Sequence, residues 1–259
     1  MEKLTKDMQQ EMTGLTDLID QAGRAGTEPD LDPWPLTVAT YNIHAAVGTD
    51  GRYAPERIAG VLGEINADVI ALQEVPLGGA GPNVLDLLQQ MTGFHAVEGV
   101  AEDTPKRRYG NAVLSRYPVV ASRSIDLSFG SREPRGALDA DLDCHGHPLR
   151  IIATHLGLRP AERRHQIRLL LQAFDTDRMP VILTGDLNEW FVWGRPLRWL
   201  TSRFEPVPAP CTFPSRLPMF ALDRLWISPR HRLVEVRVHA TPLARVASDH
   251  LPLIAHIVG

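Results

Sequence analysis

Residues Pro180–Asn188 read PVILTGDLN, an apolar run that ends in glycine, aspartate, leucine and asparagine. The β-branched and aliphatic residues predict a buried strand, and the polar residues fall where that strand ends. A buried strand leaves little positional slack at its end, so Asp186 and Asn188 would stand at one edge of a sheet with the rigidity that catalysis needs. Read alone, Gly185-Asp186 is also typical of an Asx-turn.

Polar side chains occupy the ends of the other predicted strands in the same way. They are Asn42 at the end of LTVATYNI, Glu74 in DVIALQEV, His155 in PLRIIATHL, Asp223 before RLWIS, and Asp249 and His250 before LPLIAHIV. Each alone is typical of a turn, a cap or a surface ion pair. Their recurrence at strand ends along one chain favours a common site over chance.

The residue types agree on one chemistry. Carboxylate and amide oxygens are hard ligands that suit Mg²⁺, Mn²⁺ or Ca²⁺, and histidines offer protons or hydrogen bonds to a phosphoryl oxygen. Phosphoester hydrolysis needs a cation to offset charge, a base to aim a water, and donors for the equatorial oxygens. The set therefore predicts metal-assisted attack of water on phosphorus.

The bulk composition is that of an ordinary globular protein, with 44% hydrophobic and 22% charged residues. The 259 residues suffice for one large α/β domain, and the formal net charge of −4 lacks the basic excess of a typical nucleic-acid-binding protein. Cys144 and Cys211 are too few for a disulfide framework or a zinc cluster. No apolar run reaches the roughly 18 residues of a membrane span, and the N-terminus lacks the pattern of a secretory signal, so we expect a cytoplasmic protein.

The chain divides into two predicted segments. Residues 1–35 combine an amphipathic helix with a linker rich in Gly and Pro, and residues 36–259 form the catalytic domain. Strand–helix alternation interrupted by hairpins predicts mixed sheets in this domain. We expect helices over Asn83–Met91 and Leu197–Phe204, a hairpin turn at CHGH (Cys144–His147) and a single strand over GNAVLSRYPVV (Gly110–Val120).

The ordered motifs resemble the endonuclease/exonuclease/phosphatase superfamily, which includes DNase I, AP endonucleases, inositol polyphosphate 5-phosphatases and neutral sphingomyelinases. The matching segments are TYNIH (Thr40–His44), ALQEV (Ala71–Val75), GNAVLSRYP (Gly110–Pro118), ATHLG (Ala153–Gly157), TGDLNE (Thr184–Glu189), LDRLWIS (Leu222–Ser228) and SDHLPL (Ser248–Leu253). The resemblance implies an α/β protein with the DNase I-like fold, a four-layer α/β/β/α sandwich of two mixed β-sheets flanked by helices. It also implies a site at one edge of the packed sheets.

The same resemblance implies a role for each matching residue. It implies a site for Mg²⁺ or Mn²⁺ whose ligands are Asn42, Glu74 and Asp249, and catalytic residues His155, Asp186, Asn188, Asp223 and His250. By this analogy Asp186 orients or deprotonates the attacking water, and Asn188 and His250 contact the phosphate. His155 supports the phosphoryl group or the leaving oxygen, and Asp223 supports a catalytic histidine or the phosphate. The identity of the general base stays open.

Four residues in or near the matching motifs are candidates for substrate binding: Asn111 in GNAVLSRYP, Arg135 in EPRGAL, Arg216 in TFPSRLP and Arg224 in LDRLWIS. Arginine can bind phosphate oxygens with a two-pronged fork, and the alternative for each is a structural or surface ion pair. EPRGAL, TFPSRxP and YNIHxxxGxDGR resemble a bacterial phosphodiesterase-like subgroup, some of whose members are associated with phospholipid metabolism.

An aromatic segment, Trp190–Trp193, follows the strand that bears Asp186. Such a loop could seat in a lipid interface or stack on a base, and the alternative is that its rings cover the next helix as core. We therefore expect a monomeric phosphodiesterase or phosphatase whose substrate is a phospholipid or small phosphoester, with membrane-surface contact through this segment if it is exposed. A nuclease of the same fold is an alternative that the net charge disfavours. A non-catalytic binding module is disfavoured because no matched residue is missing.

Overall fold

The computed structural model describes residues 34–173, 179–191 and 193–258. From Pro35 onward the chain forms one unit, and its structure is described below. The predicted N-terminal helix, with the linker up to residue 33, lies outside the described residues, as does Val192 of the aromatic segment. The domain limits at residues 1–35 and 36–259 stay a prediction.

The described strands form two mixed sheets, as predicted. The strands are β1 (Pro35–Asn42), β2 (Val69–Pro76), β3 (His95–Asp103), β4 (Arg108–Ser115), β5 (Val119–Asp126), β6 (Gly136–Cys144), β7 (His147–His155), β8 (Val181–Asp186), β9 (Asp223–Ser228), β10 (Leu233–Val238) and β11 (Leu253–Val258). One sheet has the order β10-β11-β1-β2-β4-β3, and the other has the order β5-β6-β7-β8-β9. The pairs β1–β2 and β7–β8 are parallel, and the other neighbours are antiparallel.

Helices pack on the outer face of each sheet. They are α1 (Pro55–Ile65), α2 (Val84–Thr92), α3 (Pro160–Ala173), α4 (Arg195–Arg203) and the short α5 (Ala244–Ala247). One apolar core joins α1, α2 and α5 to the six-stranded sheet, and a second joins α3 and α4 to the five-stranded sheet. The inner faces of the sheets meet, with β1 on β8 and β2 on β7. The order helix, sheet, sheet, helix confirms the predicted four-layer sandwich. None of the described helices is long and apolar enough to span a membrane.

Local sequence explains where several elements begin and end. Asn83 caps α2 because its side chain accepts a hydrogen bond from the amide of Asp86, and Gly93 ends that helix in the left-handed conformation. The helix predicted over Asn83–Met91 is thus confirmed within one residue. The predicted hairpin is also confirmed, since Cys144 pairs with His147 and the two turn residues between them both have positive φ, as a type I′ turn requires.

The single strand predicted over Gly110–Val120 is wrong. The chain leaves β4 after Ser115 and enters β5, a strand of the other sheet, at Val119. Between them the amide of Arg116 donates to the carbonyl of Asp68, and the amide of Tyr117 donates to the Ser115 hydroxyl. The next residue, Pro118, has no amide hydrogen to extend the ladder, so this apolar stretch crosses from one sheet to the other.

Candidate active site

The predicted polar strand ends meet at one edge of the two facing sheets. Asn42 ends β1, and its neighbour in the register is Gln73 of β2, directly before Glu74. In the other sheet His155 at the end of β7 pairs with Asp186 at the end of β8, and Asp186 pairs with Asp223 at the start of β9. The two parallel pairs therefore deliver their last side chains to the same place.

A β-bulge directs the side chain of Glu74. Between the pairs Leu72–Ala112 and Val75–Gly110, two residues of β2 lie opposite the single residue Asn111 of β4. Glu74 takes a positive φ of 58° there, a strained conformation that bulges adopt where they re-aim a side chain. Its carboxylate accepts a hydrogen bond from Nδ2 of Asn42 at 3.2 Å, and 24% of its side-chain surface stays exposed.

Asp186 is the hub of the site. Its Oδ1 accepts a hydrogen bond from the amide of Asn188 at 2.8 Å, and its Oδ2 accepts one from Nδ2 of Asn42 at 3.1 Å. The same Oδ2 lies 3.5 Å from Nε2 of His155 and 3.6 Å from Nε2 of His250. Burial raises the pKa of Asp186 to about 6, although the nearby His250 acts in the opposite direction.

Glycine is required just before this hub. Gly185 has φ 142°, and a Cβ built on it would lie only 1.9 Å from the carbonyl oxygen of Thr154 in β7. The close approach of the two backbones thus explains the glycine of the TGDLN motif.

His250 is held by a buried carboxylate. Nδ1 of His250 lies 2.8 Å from Oδ2 of Asp223, which also accepts a hydrogen bond from the Thr212 hydroxyl at 2.5 Å. Burial alone would lower the pKa of His250, but the charges of Asp223 and Asp186 outweigh it and raise the pKa to about 10. The imidazole is therefore a cation at neutral pH, with Nδ1 donating to Asp223 and Nε2 carrying its other hydrogen.

His155 is kept neutral by the opposite surroundings. Burial and the neighbouring Arg135 lower its pKa well below the ordinary value of 6.5, and His250 adds to the effect. Nη1 of Arg135 lies 2.9 Å from Nδ1 of His155. Because a guanidinium can only donate, Nδ1 accepts and the ring hydrogen is on Nε2. That nitrogen lies 3.5 Å from Oδ2 of Asp186. Nδ2 of Asn188 lies 3.0 Å from the same nitrogen but donates to the carbonyl of Leu156, and as a donor it makes no hydrogen bond to the protonated Nε2.

Glu74 and its neighbour Asn42 fit a hard divalent cation. Mg²⁺ usually binds through one or two carboxylates and keeps several waters, and the partly exposed carboxylate of Glu74 leaves room for such a shell. Among the residues that the structure describes, no three His, Cys, Asp or Glu side chains group as a metal cage would. Glu74 and Asn42 thus suit a magnesium-like ion with few protein ligands better than a structural zinc.

Asp249, the third predicted metal ligand, contacts Ser248 and His44 through its carboxylate. Its Oδ1 accepts a long hydrogen bond of 3.4 Å from Ser248 and lies 3.9 Å from Nδ1 of His44. The backbone amide of His44 in turn donates to Oδ1 of Asn42. His44 thus links Asp249 to Asn42, and the role of Asp249 as a ligand stays a prediction.

The predicted substrate-binding residues divide into two pairs. Asn111 and Arg135 line the same small pocket as His155, and Nδ2 of Asn111 donates to the carbonyl of Gly136. Arg224 is buried, and its Nε donates to the carbonyl of Ala221. Arg216 is exposed and donates to the backbone and hydroxyl oxygens of Thr49. Asn111 and Arg135 thus belong to the site, whereas Arg224 and Arg216 contact neighbouring loops.

Sequence reasoning did not single out two residues of the site. Tyr109, at one side of the pocket, is buried and hydrogen-bonded to Glu74, and both circumstances raise its pKa. Thr212 supports Asp223 across a loop of eleven positions. A signal was present for Thr212, which begins the TFPSRLP motif, but its partner could be found only in three dimensions.

Fold and site together define the class of protein. A sandwich of two mixed sheets flanked by helices is the DNase I-like fold, and in this chain carboxylate, amide and histidine side chains lie at the strand ends of one edge. The sequence profile of the Endonuclease/Exonuclease/phosphatase family matches residues 39–250, and the chain belongs to this family. Its members are hydrolases that act on phosphoesters, and the superfamily generally uses a divalent metal.

The similar proteins cover nearly all of the described domain. The chain is 30% identical over 246 residues to the uncharacterized protein YbhP of Escherichia coli (strain K12). The alignment covers 85% of this chain and 95% of YbhP. A solved endonuclease/exonuclease/phosphatase structure from Beutenbergia cavernae matches with a TM-score of 0.72 at 24% identity, over 87% of this chain and 72% of that one. A mannosyl-6-phosphatase of Bacteroides thetaiotaomicron matches with a TM-score of 0.66 at 19% identity, over 85% and 98%. At 24% and 19% identity, the likeness to these two solved structures shows the fold alone.

Proposed function

We propose that the chain hydrolyses phosphoesters with Mg²⁺ or Mn²⁺ held at Glu74 and Asn42. The observation that carries the proposal is the position of Asp186. One buried carboxylate oxygen lies within 3.6 Å of Nε2 of both histidines and is hydrogen-bonded to Asn42, which also binds Glu74. The cation would offset the negative charge on the phosphoryl and leaving oxygens.

Asp186 is the proposed general base. A carboxyl pKa of about 6 leaves the group ionised at neutral pH and more basic than an ordinary aspartate, which suits proton transfer from water. Two hydrogen bonds, from the amide of Asn188 and from Asn42, fix its orientation. An attacking water hydrogen-bonded to Oδ2 would therefore be held in one position relative to the phosphorus.

The two histidines are the proposed donors to the phosphate. His250 is cationic because of the charges of Asp223 and Asp186. Its Nδ1–H donates to Asp223, which leaves its Nε2–H to donate to the phosphate. His155 is neutral with its hydrogen on Nε2 because Arg135 occupies Nδ1. Donors held by a rigid surrounding structure stabilise the charge that develops on phosphoryl oxygens without reorganising. Arg135 and Asn111, in the same pocket as His155, are the proposed contacts to the rest of the phosphoester.

An activity screen tests this proposal. The native protein is assayed with Mg²⁺, Mn²⁺ or EDTA against bis-p-nitrophenyl phosphate, p-nitrophenyl phosphate, a phospholipid and plasmid DNA. We expect metal-dependent hydrolysis of at least one phosphoester and, for His250→Ala, a loss of about a hundredfold to a thousandfold in kcat because a donor to the transition state is removed.

The control is His145→Ala, in the β6–β7 hairpin turn away from the site, which is expected to retain native kcat. Full activity of His250→Ala, or hydrolysis that EDTA leaves unchanged, would contradict the proposal. The substrate that is hydrolysed fastest separates the phosphodiesterase, phosphatase and nuclease activities.

A further inference from the structure

Exposed apolar side chains gather on three loops that adjoin the strand ends of the candidate site. The loops are residues 156–159 after β7, 187–195 after β8 and 213–220 before β9. Their exposed apolar residues, named here the apolar rim, are Leu158, Trp190, Phe191, Trp193, Leu217 and Met219, of which Trp193 is 71% exposed. Because β7, β8 and β9 are neighbours in one sheet, the three loops leave the same edge, beside His155, Asp186 and Asp223.

A buried ion pair fastens the first loop to the second. Arg163 of α3 donates from Nη1 to the carbonyl of Leu158 at 2.7 Å and from Nε to a carboxylate oxygen of Glu189 at 3.1 Å. Both partners are almost fully buried. The loop that carries Trp190, Phe191 and Trp193 is therefore built around a fixed internal anchor.

Aromatic contacts fasten the second loop to the third. The ring of Trp190 lies 4.7 Å from that of Phe220 and 5.8 Å from that of Phe213, between ring centroids. Phe213 in turn lies 4.8 Å from the ring of His250. Trp190 of the rim is thus linked through Phe213 to His250, a residue of the proposed catalytic set.

The second loop presents its two remaining rings outward. The amide of Phe191 donates to Glu189, and a Cβ on Gly194 would lie 2.6 Å from the same carboxyl group, so the loop closes tightly over that side chain. Phe191 is 55% exposed, and its ring packs on that of Trp193 with the centroids 5.8 Å apart. Contiguous exposed aromatic surface on an anchored loop is typical of an interaction site.

Arginine accompanies the apolar residue on each loop. Arg159 follows Leu158, Arg195 comes two residues after Trp193, and Arg216 precedes Leu217; all three arginines are exposed. The three loops contain one acidic residue in their sequence, the buried Glu189. Each of the three loops therefore presents an exposed arginine together with residues of the apolar rim, although the whole chain carries a formal charge of −4.

We propose that the apolar rim docks on the surface of a bilayer that contains anionic phospholipid. Tryptophan and phenylalanine partition to the membrane–water interface, and the exposed arginines of the three loops are attracted to anionic headgroups. Docked in this way, the rim would hold the strand-end site at the level of the headgroups. The docking goes beyond the proposed hydrolysis and does not depend on it. A nucleic acid could stack on the same aromatic rings, and its binding is therefore measured as a competing outcome of the test.

Vesicle cosedimentation in EDTA tests the docking apart from catalysis. We expect the native chain to bind vesicles of equimolar phosphatidylcholine and phosphatidylglycerol, and to bind less to phosphatidylcholine alone or at high salt. The double variant Phe191→Ser/Trp193→Ser should bind the mixed vesicles about tenfold more weakly, because it removes interfacial rings. Arg159→Gln/Arg195→Gln should lower binding to the mixed vesicles but not to phosphatidylcholine.

Two controls make the result specific. Met91→Ser/Val234→Ser removes exposed apolar side chains on α2 and β10 and should bind as the native chain does. His250→Ala should also bind normally, so that failure of the proposed hydrolysis leaves the docking result unaffected. Hydrolysis of soluble bis-p-nitrophenyl phosphate by Phe191→Ser/Trp193→Ser should match the native rate.

Four outcomes would overturn the docking proposal. The first three are the absence of native binding to the mixed vesicles, equal losses in the rim and control variants, and a shift from dimer to monomer in sedimentation velocity of the rim variant, which would identify a self-association surface. Tighter binding to single-stranded DNA than to vesicles, lost in the rim variant, would likewise assign the rings to nucleic acid.

Discussion

The two sheets contribute unlike parts to the candidate site. The six-stranded sheet supplies Glu74, whose side chain is 24% exposed at a bulge, and the amide of Asn42 beside it. The five-stranded sheet supplies His155, Asp186 and Asp223, whose side chains are almost fully buried. His250 belongs with the second group because its Nδ1 pairs with Asp223. In the chain, however, it precedes β11, which is a strand of the six-stranded sheet.

The difference in burial separates two chemical tasks. An exposed carboxylate keeps room for a hydrated cation and is the appropriate ligand for Mg²⁺. In the buried group, burial itself and the charges of neighbouring side chains shift the pKa values of the carboxylates and imidazoles. The pKa values of Asp186 and His250 are raised, and that of His155 is lowered. At neutral pH Asp186 is therefore an anion, His250 a cation and His155 neutral.

Replacement of Asp186 should have the largest effect on activity. We expect Asp186→Asn to lower kcat/KM by about a thousandfold, roughly 4 kcal/mol, because the general base is lost while the side-chain shape is kept. Stability at neutral pH should not fall, since a buried ionised group is replaced by a neutral one. The comparison variant is Asp103→Asn on β3, whose side chain is 70% exposed. Near-native kcat/KM in Asp186→Asn would show that another group takes the proton.

Replacement of Glu74 should be rescued in part by metal. At low Mg²⁺ we expect Glu74→Gln to lose about a hundredfold in activity, because a neutral amide binds a hard cation less tightly than a carboxylate does. Excess Mg²⁺ should recover part of the loss, and the rise in Tm that Mg²⁺ gives the native chain should shrink. Glu235→Gln, on the exposed strand β10, serves as the reference. An equal loss at every Mg²⁺ concentration would separate Glu74 from metal binding.

Replacement of Asp223 should move the alkaline limb of the pH–rate profile. His250 is active as the cation, and its raised pKa keeps the proton at neutral pH and releases it only as the pH rises through about 10. Without the charge of Asp223 the release should move down toward the ordinary histidine pKa of about 6.5. Asp223→Asn should therefore lose about tenfold more activity at about pH 8 than at about pH 6 relative to the native chain. Parallel losses at both pH values would rule out this electrostatic role.

The strand-end residues of the site could be predicted from sequence because each is attached to a short, strongly apolar run. PVILTGDLN places Asp186 correctly, and the ordered motifs brought Glu74, His155 and Asp223 to the same edge. The β4–β5 crossing could not be predicted, since the apolar pattern of GNAVLSRYPVV is continuous although the chain changes sheets. Which sheet a strand joins is decided by its partners in space.

Side chains that act across loops were beyond the sequence. The pair Arg163–Glu189 joins a helix to a loop, and no local sequence pattern pairs the two residues. The aromatic segment is a similar case. Phe191 and Trp193 are exposed, as one alternative held, and the ring of Trp190 packs on that of Phe220. The choice depended on how α4 sits on its sheet, which no local pattern encodes.

Replacement of Thr212 should have the smallest effect and tests how finely the buried group is tuned. Thr212→Val keeps the volume but removes the hydroxyl that donates to Asp223 at 2.5 Å, and the structure should lose about 1–3 kcal/mol of stability. Without this hydrogen bond the carboxylate of Asp223 is held less firmly against Nδ1 of His250. The alkaline limb should therefore move to lower pH by less than in Asp223→Asn, and kcat should drop only about threefold. Thr212→Ser, which retains the hydroxyl, should restore the limb. If Thr212→Val lowers Tm but leaves the limb in place, Thr212 supports the fold and does not tune His250, and the protonation of the buried group then depends on its charged members alone.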